Sequence, residues 1–139
     1  MADWHGTCRS NYFRVKDRKA FEEALAQFDA ELLDHPKEGS DAVGFISTDQ
    51  FGGVPTRYYD DEGDELDGPI NILDVIGEHI LPGDVCIIME VGAEKARYVT
   101  GEACAIWGSD ENQSIRLSLD SIYDLVKEKT GIEPTKAEY

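Results

Sequence analysis

Basic residues are scarce in this sequence. Thirteen Lys and Arg stand against twenty-nine Asp and Glu in 139 residues, a formal charge of −16. A surface of that sign repels DNA, RNA and anionic lipid, so neither direct nucleic-acid binding nor membrane binding is expected. Cysteine is scarce too: Cys8, Cys86 and Cys104 are odd in number, and the last two lie in apolar stretches that read as buried strands. That usage fits a reducing, cytoplasmic compartment. No apolar run approaches the roughly 20 residues of a membrane span, and the chain does not open on a basic stretch followed by an apolar one. A soluble protein without an export signal is expected.

Signatures of chemistry are missing as well. There is no Gly-Lys-Ser/Thr phosphate loop, and Gly52 and Gly53 lack the spacing of a dinucleotide fingerprint. His5 and Cys8 are three residues apart, but no second pair exists to complete a zinc site. His35 and His79 have no sequence feature that pairs them with a cysteine nucleophile, and His79, among Ile76 and Ile80, reads as a partly buried structural histidine. No catalytic residue, metal or cofactor is expected, and a binding protein is favoured over an enzyme.

What is present is enough apolar matter, 41% of the chain with 9% aromatic, for one core. We read a single domain over residues 1–133 and a tail over 134–139. Asn11 to Val15 alternates as a first strand, with Phe13 and Val15 on one face. Asp17 caps a helix whose Phe21, Ala24, Leu25 and Phe28 recur at helical spacing, with Glu22, Glu23 and Asp29 on the wet side. Leu32 and Leu33 begin a short extended piece, Pro36 to Ser40 is a turn, and Val43 to Ile46 is a strand. Asp49 to Gly68 reads as a long loop with room for one short strand at Thr56 to Tyr59.

Pro69 suits the first turn of a second helix, with Ile72, Leu73, Val75, Ile76 and Ile80 as its apolar stripe. Val85 to Val91 is apolar on both faces apart from Glu90, as in a central strand, and Gly92 to Lys95 turns the chain. Arg97 to Thr100 and Ala103 to Trp107 form a long strand with a kink or bulge at Gly101, and Ile115, Leu117 and Leu119 alternate inward on its partner. The short connections make these strands an antiparallel meander. A last helix starts near Ser118 to Asp120, buries Ile122, Leu125 and Val126, and ends at Gly131. The expected fold is α+β: an antiparallel sheet of about four to five strands with three helices packed mainly on one face.

The charge is unevenly spread. Residues 1–19 are net +3, residues 20–94 net −17 and residues 95–139 net −2. The densest part is Asp60, Asp61, Glu62, Asp64, Glu65 and Asp67, six carboxylates within eight residues. Close like charges repel by roughly 1 kcal/mol per pair in water before screening, so this run is expected to be extended and exposed. Asp74 and Glu78, four apart, continue the field along one helix face. Such a run is either a solvated face that keeps the protein soluble or a surface that imitates a phosphate ladder for a basic groove on another protein. Tyr58 and Tyr59 beside it are either interface anchors or covers for the core edge. A calcium loop is disfavoured, because counting from Asp60 puts Gly63 fourth and Asn71 twelfth, where an EF-hand needs Gly sixth and Glu twelfth.

The segment Cys8-Arg9-Ser10-Asn11-Tyr12-Phe13-Arg14-Val15-Lys16-Asp17 resembles the opening of small acidic proteins of conjugative plasmids and phages. The resemblance extends to Val91–Tyr98 and Ser118–Tyr123 and leaves the middle of the chain variable. It implies a setting, inhibition of host defence nucleases of the anti-restriction or anti-CRISPR kind, and carries over no functional residue. It agrees with the charge, which calls for a basic nucleic-acid-binding protein or nuclease complex as partner. The expected site is then Tyr58, Tyr59, the six carboxylates of 60–67, Asp74 and Glu78. The alternative is an accessory protein of plasmid or phage maintenance that binds another protein without mimicry.

Overall fold

A computed structural model of the chain describes residues 4–49, 52–55, 58–60, 62–66, 71–110 and 112–137. The first strand, β1, is Trp4–Ser10 and not Asn11–Val15. Its small residues Gly6, Cys8 and Ser10 point to the core, while His5, Thr7 and Arg9 are exposed. Asn11 then ends the ladder: its side chain donates to the Val85 carbonyl at 3.1 Å and accepts from the Ile87 amide at 2.7 Å. Phe13 and Val15 consequently make only single bridges, to Val43 and Ile80.

Helix α1, Arg18–Leu25, is capped by Asp17, whose carboxylate accepts from the Ala20 amide at 3.1 Å as its sequence position predicts. The chain returns through β2 (Ala30–Asp34) and β3 (Val43–Ser47). Tyr58–Tyr59 and Glu65–Leu66 pair as a separate small ladder, β4 and β5. Helix α2, Ile72–His79, starts at an Asn71 cap, and Pro69 lies outside the described residues. The meander follows as β6 (Cys86–Glu94), β7 (Tyr98–Ile106) and β8 (Ser114–Ser118), and α3 (Ser121–Thr130) ends at Gly131, whose φ of 74° is the left-handed conformation glycine tolerates.

The fold is α+β, and the main antiparallel sheet has six strands in the order β2-β3-β1-β6-β7-β8, more than the four to five expected. The additional strands come from the polar N-terminal segment and from Ala30–Asp34, where hydrophobic alternation is weak. The turn before β7 comes after Glu94, so β6 is longer than expected. β7 runs unbroken through Gly101, which pairs with Val91 without a bulge.

One face of the sheet is covered. Phe21 and Leu25 of α1 and Ile72 and Ile76 of α2 pack with Phe13, Phe45, Cys8, Cys86, Ile88 and Ile106 in a single core. Ser10 is buried among them without a cost in unpaired polar groups, because its hydroxyl accepts from the Phe45 amide and donates to the Asn11 carbonyl. Residues 52–55 strap the far end of this face. The Val54 amide donates to the Glu90 carboxylate and Pro55 is buried.

Two expectations fail on the other side. Helix α3 buries none of its residues, so only α1 and α2 pack on the covered face. Ile115, Leu117 and Leu119 point away from the core and are exposed. The alternation on β8 was legible, but the apolar set faces the side that carries no helix. By the same register Ile87, Met89 and Val91 of β6 are exposed, so this central strand is covered on one face only.

Candidate functional site

The acidic run is folded more tightly than charge repulsion alone suggests. Tyr58 pairs with Leu66 and Tyr59 with Glu65, and the Asp60 amide donates to the Asp64 carbonyl at 2.9 Å. The Asp60 carboxylate turns into the loop and accepts from the Glu62 and Asp64 amides, each at 2.9 Å. Gly63 sits at φ 86°, a conformation other residues enter at a cost. Backbone donors thus offset part of the repulsion, and the segment is a closed turn rather than an extended strand. Glu62, Asp64 and Glu65 remain exposed, while Asp60 is half-buried. Asp61 and Asp67 lie outside the described residues.

The hairpin is fixed to the body at the end of α1. The Tyr59 amide donates to the Gln27 carbonyl at 2.7 Å, the Gln27 side-chain amide donates to the Tyr59 carbonyl at 3.3 Å, and the Tyr59 hydroxyl donates to Asp29 at 3.2 Å. Tyr59 is therefore tied to the body beside the end of α1 and is half-buried. Tyr58 lies in β4, and its side chain is outside the described part of the structure.

Asp74 and Glu78 are exposed on α2, one turn apart. Asp74 sits in the first turn, where the helix dipole favours a negative charge. Among the described residues neither shares a hydrogen bond with the hairpin, so the predicted site resolves into a hairpin cluster and a separate helix face. The ion pairs go elsewhere: Arg14 to Asp84 at 2.9 Å, Arg18 to Asp34, and Lys127 to Glu133 at 3.9 Å. Among the described residues no base forms an ion pair with the carboxylates of Asp60, Glu62, Asp64, Glu65, Asp74 or Glu78, although Lys16 Nζ donates to the Glu78 backbone carbonyl at 3.1 Å.

Carboxylate oxygens of Asp60, Glu62 and Asp64 lie within 4.8 Å of one another. An all-oxygen trio suits a hard cation such as calcium rather than zinc, and it supplies three of the roughly six to eight ligands calcium takes. The other metal pair read from spacing separates in the fold. His5 points to the exposed face of β1 and Cys8 to the core.

Burial disfavours the thiolate form of the three cysteines. Burial, with smaller contributions from Glu90 and Cys104, pushes Cys8 up to about 12, and burial likewise raises Cys86 and Cys104. All three are free cysteines. His79 is half-buried with its ring 5.8 Å from Phe21, in keeping with its structural reading.

Two features had little sequence signal. Asp84 receives the Arg14 backbone amide at 2.7 Å and the guanidinium at 2.9 and 3.2 Å, tying the chain after β1 to the turn after α2. A cleft of about 340 Å³ lies between the start of α2 and β8, with Asp74, Cys104, Asp110 and Arg116 on its walls. Both join residues remote in sequence, so no local spacing could announce them.

No helix among the described residues is long and apolar enough to cross a membrane. No family model matches this chain, and no curated protein or solved structure is significantly similar to it.

Proposed function

We propose that this chain is an inhibitory binding protein of a mobile genetic element that occupies a basic, nucleic-acid-binding site on a host defence complex of the anti-CRISPR or anti-restriction kind. The observation that carries the reading is the anchored hairpin, which holds Glu62, Asp64 and Glu65 exposed and, among the described residues, unpaired with any base. Holding like charges close in water is unfavourable unless something offsets it, and a Lys/Arg-lined groove would do so. The α1 carboxylates Glu22 and Glu23, also exposed, add to the field on the helical side of the sheet.

In this reading the protein acts without a catalytic centre and as a DNA mimic in the electrostatic sense, its energy spread over many modest charge contacts. The mobile-element setting rests on the resemblance of the Cys8–Asp17 segment. Three free thiols suit a cytoplasmic site of action.

The test is capture of partners from a host carrying defence systems, at low and high ionic strength, followed by competition with duplex DNA on the purified partner. Capture that weakens steeply with salt and is displaced by DNA is the expected result. Capture indifferent to salt removes the electrostatic reading. Salt-sensitive binding that DNA does not displace leaves an inhibitor without mimicry.

A further inference from the structure

The sheet has a second face, and its composition is unlike the rest of the protein. Strand register puts Ile87, Met89 and Val91 of β6 on the side away from α1 and α2. Beside them on β7 lie Val99, Gly101, Ala103 and Ala105, and on β8 Ile115 and Leu117, with Leu119 just beyond. Met89 is 59% exposed, Leu117 64% and Ile115 65%. An antiparallel sheet open to water on one side normally alternates polar residues outward. Here the outward set of three adjacent strands is apolar. Helix α3, which follows Leu119, also leaves Ile122 and Leu125 exposed, so it does not cover the face with its own stripe.

We propose that this face is the contact between two copies of the chain, packed sheet to sheet about a two-fold axis. Three observations favour a second copy over another partner. The first is shape. The small residues Ala103 and Ala105 on β7 form a trough between a ridge of Ile87 and Met89 on one side and a ridge of Ile115 and Leu117 on the other. A surface bearing both ridge and trough can pack against its own two-fold image, as an isologous interface requires.

The second is area. The exposed apolar residues of β6, β7 and β8 together with Leu119, each 36–65% exposed, present on the order of 750 Å² per copy, which exceeds the patch a monomer usually shows and approaches the roughly 800 Å² per partner of a standard interface.

The third is charge. Helices α1 and α2 pack on the opposite side of the sheet, the acidic hairpin is hydrogen-bonded to Gln27 at the end of α1, and β6, β7 and β8 contribute no charged side chain to the outer face. Packing these faces about 10 Å apart leaves each copy's acidic side outermost, with two sheets between them, at or beyond a Debye length of about 8 Å. Such a dimer keeps charged side chains out of the contact between two chains of −16, and it does not use the hairpin.

The sign of the salt effect separates this surface from the acidic one. Screening relieves the residual repulsion between copies, so added salt tightens the dimer, whereas it weakens binding through the hairpin. The experiment is sedimentation equilibrium of the full chain over a dilution series at low and high sodium chloride, on the native protein and on Met89→Glu/Leu117→Glu. Both substituted residues are exposed, so far-UV circular dichroism is expected to be unchanged. The expected result is a native dimer that tightens several-fold with salt and is weakened at least about tenfold in the double variant. Ile115→Lys, a single change on the neighbouring ridge, is expected to weaken it as well and serves if the double variant does not fold. A native chain that stays monomeric throughout the series at both salts overturns the proposal. A dimer undiminished in the folded variants does so too.

Discussion

Gln27 and Tyr59 hold each other by two reciprocal hydrogen bonds, from the Tyr59 amide to the Gln27 carbonyl at 2.7 Å and from the Gln27 side chain back to the Tyr59 carbonyl at 3.3 Å. Through this pair the acidic hairpin is an attached part of the body. Gln27→Ala removes the side-chain bond to the Tyr59 carbonyl and no charge. It is expected to cost about 0.5–1.5 kcal/mol locally and to increase hydrogen exchange at Tyr59. If the hairpin is the binding site, the same variant binds the partner less tightly at unchanged net charge, because a loosened array has to be ordered on binding.

Asp60 is expected to behave unlike its neighbours. Its carboxylate serves the Glu62 and Asp64 amides, so Asp60→Ala opens the turn, whereas Glu62→Gln, Asp64→Asn and Glu65→Gln leave it closed. Each of those single neutralisations is expected to cost under about 1 kcal/mol in partner binding, and their combination with Asp61→Asn, Asp67→Asn, Asp74→Asn and Glu78→Gln is expected to abolish it. Inhibition assays with circular dichroism on the same samples check both halves. Full activity in the folded combined variant would falsify the assignment.

The Arg14–Asp84 tie predicts a pH dependence. Hydrogen bonding to the Arg14 side chain, reinforced by its backbone amide and charge, holds the Asp84 carboxyl below its ordinary 3.8. A carboxyl depressed in the folded state adds stability above the unfolded-state value, and that contribution is lost as pH falls through the folded one. Asp84→Asn is therefore expected to be less stable than the native chain at neutral pH. Urea titrations from neutral pH downward are expected to show the difference shrinking below about pH 4.

Gly77 decides between two opposing effects. Inside a helix Gly→Ala ordinarily stabilises by about 1 kcal/mol. In α2, however, a Cβ at residue 77 would stand 2.5 Å from the Gly108 carbonyl oxygen, a backbone atom that cannot swing aside. Gly77→Ala is expected to lower the melting temperature for that reason, with 108–110 shifted away from α2. A rise in melting temperature would show that the loop yields at little cost.

Local signals carried much of this fold. The Asp17 cap, the Phe21–Leu25 stripe, the Ile72–Ile76 stripe and the glycine at 131 were each readable, because capping and periodicity act within one or two turns of chain. The meander of β6, β7 and β8 was readable from its short connections. The strand at Trp4–Ser10 was not, since its inward positions are Gly6, Cys8 and Ser10. They are small because the strap and β3 come close, a demand set by residues forty positions away.

Residue order alone establishes that the chain is strongly acidic, where the carboxylates concentrate, and that β8 and α3 each have an apolar set. Charge and periodicity are properties of residue order, and no partner is needed to define them. Which way those sets face is set by the packing of distant elements. α1 and α2 fill one side of the sheet, so Ile115, Leu117 and Leu119 belong to the other side and α3 buries none of its residues. Alternation is identical whether a strand's apolar face meets a helix of its own chain or is open to a second molecule, and that choice is made by the packing of elements remote in sequence.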